Sequence, residues 1–237
     1  VGAPESEHIK VEVITLPNVG RCDHSYAYWI SHVAYNDVDM YGDDDIVYFV
    51  KDNDYSFERW RSFEDMLGLA MSNGFACAIT PTFDWQAGQG LSYFHQTSRL
   101  KDFDVESHTR EGRNKVVSAE EVAKQNQEFD SVHRSLGAYA DYLGLELPQP
   151  YCPACYGGIF ATKLSQIRKQ SLMMWDKLIG SLSRADNLKE GHFAERLWAS
   201  FLVKPLTKEI AGILETRKKT VRCKARLRNY CGILALT

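Results

Sequence analysis

The sequence lacks any long apolar run. None approaches the ~18 residues needed to cross a bilayer, so no membrane span is expected in this chain. It also lacks the charged, apolar and small-residue regions of a signal peptide, and it holds no Asn-x-Ser/Thr acceptor site. It has little excess of one charge: 28 Lys and Arg stand against 31 Asp and Glu, for a net charge of −3 and a pI of about 6.2. That balance excludes the strongly basic character of a nucleic-acid-binding domain, and no nucleic-acid partner is expected. No internal repeat or low-complexity tract interrupts the chain, and neither the dinucleotide fingerprint nor the phosphate-binding P-loop is present at its proper spacing. The first residue is Val1 rather than Met, from which we expect a trimmed or processed form.

What is present fits one larger globular domain. The 237 residues can bury on the order of 70% of the surface of the unfolded chain. Hydrophobic residues make up 44% and charged residues 25%, both ordinary. Aromatics, at 12%, are plentiful enough for a ring-rich core and for the walls of a sugar or base pocket. Charge is unevenly placed. Asp37, Asp39, Asp43, Asp44, Asp45, Asp52 and Asp54 crowd an early stretch, and Arg217, Lys218, Lys219, Arg222, Lys224, Arg226 and Arg228 crowd the end. The basic run reads as a solvated helix or tail, with docking on an anionic surface as the second reading.

The hydrophobic pattern alternates strands with helices. Residues 1–9 are polar and expected to be disordered. Val11 to Leu16 reads as a first buried strand, Cys22 to Val33 as a helix, and Ile46 to Val50 as a second buried strand. Ser62 opens a helix that Asn73 and Gly74 close, and Phe75 to Thr80 reads as a third strand. Residues 81–117, with Gly88 and Gly90, read as a long loop with short elements. A long helix is expected over 118–143, a Pro-rich loop over 147–155, a short strand over 157–162, and helices over 164–182, 191–202 and 205–226. This alternation predicts an α/β fold: a mostly parallel, Rossmann-like sheet with helices on both faces. The domain spans 10–203, and 204–237 forms a basic C-terminal helix or tail. Ligands of such sheets bind beyond the carboxyl ends of the strands.

Four constellations lie where chemistry is expected. The loop Pro17-Asn18-Val19-Gly20-Arg21 follows the first strand and leads into a helix. Its backbone amides, the helix dipole and the Arg21 guanidinium suit a phosphate group, as well as a plain strand-to-helix turn. His24 lies one turn further on, as a helper or as a satisfied helical histidine. Past the second strand, Lys51 precedes Asp52-Asn53-Asp54, whose two carboxylates can hold Mg²⁺ or Mn²⁺ or can form a polar turn. Asp43-Asp44-Asp45 precedes that strand and reads as a turn. Cys152 and Cys155 form one C-x-x-C pair, open to a local disulfide, to zinc or to thiol redox chemistry. Gly157 and Gly158, just after it, allow close backbone approach to a ligand. Gly191, His192 and Glu195 open a helix, where Glu195 fits either a general base or an ion pair.

Taken in order, NVGRCDHSY, the acidic end of the second strand, CYGGIFATK and EGHFAERLW resemble an uncharacterised family of glycosyltransferase-like domains with algal, fungal and viral relatives. The likeness covers about residues 10–203. It implies a GT-A type fold and transfer of a sugar from a nucleotide-diphosphate sugar to a glycan or glycoprotein acceptor. It further implies a donor site at Pro17, Asn18, Val19, Gly20, Arg21, His24 and Lys51, with Gly157 and Gly158 towards the acceptor. Mn²⁺ or Mg²⁺ would sit on Asp52 and Asp54, Glu195 would be the catalytic base, and His192 would bind metal or phosphate. Two further expectations stay open on the residues alone: a non-catalytic nucleotide- or carbohydrate-binding module, and a thiol oxidoreductase using Cys152 and Cys155.

Overall fold

The computed structural model describes residues 11–35, 40–51, 61–79, 93–105 and 127–203, with 118, 120, 123, 206–209, 211–212 and 214–215 besides. Residues 1–9, Asp52, Asp54, Gly88, Gly90, the basic run from Arg217 to Arg228, Cys223 and Cys231 lie outside the described residues.

Helix α1, Arg21–Trp29, starts at Gly20 and continues as a π-helical turn over Ile30–Ala34. Its inner face carries Asp23, Tyr26, Ala27 and Ile30, the spacing of a buried helical stripe. Strand β1, Ile46–Phe49, is followed by α2, Phe63–Asn73. The Ser62 side chain caps α2 by accepting from the Asp65 amide at 3.1 Å, and Gly74 ends it in the left-handed region, as the sequence predicts. Then come β2 (Phe75–Cys77), β3 (Tyr93–Gln96) and α3 (Thr97–Lys101). Helix α4 covers Leu136–Leu143 and β4 covers Tyr151–Ala154. A 3₁₀ turn at Tyr156–Gly158 leads into β5, Phe160–Lys163, and α5, Leu164–Ile167. Helices α6 (Leu172–Leu182) and α7 (Lys189–Leu202) follow.

The parallel Rossmann-like sheet of GT-A type is not what forms. The sheet has three strands in the order β1-β5-β2, and both neighbours run antiparallel to β5. A separate antiparallel pair joins β3 to β4. The expected first strand is the source of the error. Val11 and Val13 are 78% and 85% exposed and make no strand pairing. β-branched residues favour extended backbone, but a strand exists only where a partner takes its hydrogen bonds. Without it, no β-α-β unit starts the fold.

Other boundaries shift for similar reasons. The helix expected over 118–143 breaks at 130–135, where Ser135 caps α4 by accepting from the Ala138 amide. The helix expected over 164–182 breaks before Ser171, which caps α6. The Pro-rich stretch 147–155 contains strand β4, paired with β3 and wholly buried. The strand expected from Gly157 starts only at Phe160, because Gly157 and Gly158 both take positive φ. Of the tail, Lys208, Glu209, Ala211, Gly212, Leu214 and Glu215 are helical. Among the described residues no helix is long and apolar enough to cross a membrane.

The core is built on rings. Tyr26, Phe49, Phe160, Trp198 and Trp175 form a continuous series with centroids 4.8 to 6.2 Å apart, a range in which edge and offset contacts are favourable. Trp198 stands at the junction of α7, α1 and the sheet, and that junction lies under the candidate site.

Candidate functional site

A cavity of about 70 Å³ opens at the amino end of α1. Its wall is made by Gly20, Arg21, Cys22 and Asp23 of the α1 start, by Lys51, by Asp186, Asn187 and Leu188 before α7, and by Gly191, His192 and Glu195 of α7. It thus brings together Gly20, Arg21, Lys51, His192 and Glu195, which the sequence places in three separate segments. The volume has room for about five water-sized probes, enough for a phosphoryl-sized group and too little for a whole nucleotide.

Antiparallel pairing makes this meeting possible. Phe49 of β1 lies opposite Phe160 of β5. The carboxyl end of β1 therefore lies beside the amino end of β5, and Lys51 comes against Gly158. A Cβ on Gly158 would stand 2.9 Å from Lys51 Cε and 3.7 Å from Cys22 Sγ, and the residue has φ +65°. The positive φ favours glycine here, and a Cβ would push the end of the Lys51 side chain out of its place. Gly157, at φ 86°, donates its N–H to Glu195 Oε1 at 3.2 Å. The two glycines thus touch the cavity from behind, one through a lysine and one through a carboxylate.

The α1 start is held just as closely. Gly20 donates its N–H to the Ala185 carbonyl at 2.8 Å. A Cβ there would lie 2.6 Å from the Leu182 carbonyl oxygen, and φ is +56°. Arg21 also has positive φ, at 52°, a conformation that costs a non-glycine residue of order 1 kcal/mol. Its guanidinium donates to Asn187 Oδ1 at 2.6 Å, which fixes the charge at the rim. Arg21, Lys51 and the positive end of the α1 dipole all favour an anion here.

Carboxylates share the same space. Asp23 is 6% exposed and accepts from the Trp198 indole N–H at 2.6 Å. Burial drives its pKa from 3.8 up to about 6. The Trp198 hydrogen bond opposes that rise, Glu195 adds to it, and Lys51 and Arg21 oppose it. Burial also pushes the neighbouring Cys22 thiol up to about 12, with Asp23 adding and Lys51 opposing, so it is a neutral wall group and not a nucleophile. Glu195 is held by Gly157 and lies 3.7 Å from the Arg196 guanidinium. The His192 ring packs 5.7 Å from Phe129. The loop before α7 is anchored by Glu190, which takes two hydrogen bonds from Arg184 and one from Ser131 Oγ.

The remaining candidate residues fall elsewhere. Pro17 and Asn18 are exposed and Val19 half-buried on the approach to α1, outside the cavity wall. His24 is buried on α1 away from the cavity. Its Nδ1 has no hydrogen-bond partner among the described residues, and burial lowers its pKa. Asp52 and Asp54 lie outside the described residues. Among the described residues no group of three or more His, Cys, Asp or Glu side chains is placed to hold a metal ion.

Cys152 and Cys155 are not bonded to each other. Cys155 forms a disulfide with Cys77. Cys152 is a free thiol, buried against Ser200 Oγ at 2.9 Å and pushed up by that burial to about 11. The Cys152 side chain of β4 lies in the core, while Cys155 follows the strand and is bonded to Cys77 of β2. The acidic triplet behaves as the turn expected of it: Asp43 binds Arg168 and Asp44 binds Lys163.

Sequence reasoning passed over Asp23, Asp186 and Asn187. A signal for Asp23 was present, since it occupies the position of the α1 stripe that leads to Tyr26, Ala27 and Ile30. A carboxylate on an apolar stripe needs a buried partner. No protein-family model, no curated protein and no solved structure matches the chain.

Proposed function

We propose that this chain is a glycosyltransferase that moves a sugar from a nucleotide-diphosphate sugar to an acceptor hydroxyl of a glycan or glycoprotein. The observation that carries the reading is the convergence of Arg21, Lys51 and the amino end of α1 on a phosphoryl-sized cavity that also holds Glu195. Glu195 takes the proton of the acceptor hydroxyl as its oxygen attacks the anomeric carbon. The bond from that carbon to the diphosphate oxygen breaks, and Arg21, Lys51 and the helix end stabilise the charge left on the diphosphate. Gly157 aims Glu195 by its hydrogen bond. A divalent ion on Asp52 and Asp54, which follow Lys51 in the chain, would add Lewis-acid stabilisation of the same leaving group.

One contact favours a second reading, a binding module without turnover. Glu195 already accepts from Gly157 and sits near Arg196, as a purely structural carboxylate would.

A thermal-shift panel of nucleoside diphosphates and nucleotide sugars, with and without Mn²⁺, tests the donor site. A ligand at 100 times its Kd stabilises the fold by about 2.7 kcal/mol. The expected result is a shift with at least one nucleotide, lost in Arg21→Gln/Lys51→Gln. A shift that also requires Mn²⁺ and vanishes in Asp52→Ala/Asp54→Ala would assign the metal. An equal shift in wild type and in the Arg21/Lys51 double variant would remove the donor site from this cavity.

A further inference from the structure

The charges of the cavity nearly cancel before any ligand enters. Arg21 and Lys51 bring two positive charges, and Asp23, Asp186 and Glu195 bring three carboxylates. An entering anion is drawn by Arg21, Lys51 and the helix end but also meets three carboxylates, and a proton on one of them relieves the added negative charge. Asp23 differs from the other two carboxylates in being almost wholly buried. Its Oδ1 is held by the Trp198 indole at 2.6 Å, and its Oδ2 faces Cys22 Sγ at 3.9 Å. A buried carboxylate beside a bound anion is strongly unfavourable, whereas the neutral acid is a hydrogen-bond donor.

We propose that Asp23 is a proton-carrying ligand of the anion bound in this cavity: one proton is taken up from solvent with the anion, and Asp23 Oδ2 donates it in a hydrogen bond to an anion oxygen. The inference rests on the anion reading of the cavity given above. The groups that act on Asp23 are Arg21 and Cys22 on its own helix, Lys51 beyond β1, Glu195 and Trp198 on α7, and the Tyr139 hydroxyl on α4. Burial holds the Cys22 thiol in its protonated form. Glu195 is partly solvated and held by Gly157. Burial keeps Asp23 at about 6, so a small added negative potential protonates it at neutral pH. The Trp198 hydrogen bond goes to Oδ1 and is compatible with both states.

Sulfate is the probe, because it does not titrate near neutrality and is of the size of the cavity. On the full chain, the indole N–H resonance of Trp198 reports the ionisation of Asp23. Saturating sulfate should raise the pH midpoint of that resonance by about one unit or more, and the sulfate Kd should rise by the matching factor, about tenfold or more, between the free and the sulfate-bound midpoints and level off above them. Asp23→Asn should bind sulfate with a Kd that is flat over the same range. Sulfate binding with an unmoved midpoint and a pH-independent Kd would overturn the role of Asp23 and leave the anion cavity standing. No sulfate binding at any pH would overturn the anion cavity itself. Both outcomes can be read in the wild-type protein alone if the variant fails to fold.

Discussion

Replacing Cys77 and Cys155 together by Ala is expected to lower the free energy of unfolding by about 4 kcal/mol. The two residues are 78 positions apart, so the bond closes a long loop in the unfolded chain and removes much of its freedom. Both side chains are fully buried, which adds lost packing to the entropic loss. The bond also ties the Tyr156–Gly158 turn to β2, and through Gly157 it steadies Glu195. Urea unfolding of the wild type under reductant should show most of the fall in midpoint seen for the variant, which also loses the two buried sulfur atoms. Cys152→Ser serves as the contrast. That thiol is free and meets Ser200, so its replacement should cost about 1 kcal/mol.

Trp198→Phe is expected to cost about 3 kcal/mol at pH 7, and less in acid. The change keeps a ring among Phe160, Trp175 and Phe201 but removes the donor to Asp23. A charged hydrogen bond lost at a buried site accounts for roughly 2 kcal/mol and the smaller ring for the remainder. The pH dependence follows from the direction of the Asp23 shift. Its folded pKa lies above its unfolded value, so its contribution to stability is fully present below pH 3.8 and is lost as pH rises through about 6. The Trp198 bond opposes that rise by favouring the ionised form, so the bond matters most where Asp23 is ionised. Chemical denaturation at pH 7 and at pH 5 should show the penalty shrinking at the lower value. A penalty equal at both would mean that the indole does not act on Asp23.

The sequence made the candidate site more legible than the fold. Four segments, around Arg21, Lys51, Gly157 and Glu195, could be singled out because glycine and charge at element ends leave a local mark. The glycines mark places of close backbone approach, but the positive φ of Gly20 and Gly158 is set by the tertiary structure. The direction of the strands is not legible either, since β1, β2 and β5 are too short for periodicity to separate parallel from antiparallel pairing. Val11 to Leu16 carries strand propensity without a partner, and propensity alone cannot supply one. Cys152 and Cys155 suggested a pair through their closeness in sequence, whereas the partner of Cys155 comes from β2 by tertiary contact. Asp23 was passed over because it reads as an ordinary polar residue of a helix start, although its place on the apolar stripe of α1 marks it as buried, and the structure adds its partner Trp198.

In the proposed reaction Glu195 and the cations Arg21 and Lys51 act on one donor. The most direct measurement is the release of nucleoside diphosphate from the nucleotide sugar that shifts the melting temperature, with water as the acceptor, in wild type and in Glu195→Gln. The wild type should release the diphosphate. Glu195→Gln should bind the donor unchanged and release the diphosphate more slowly by about 10²-fold or more. Equal release by both would contradict Glu195 as the base, and binding without any release by the wild type would make the chain a binding module.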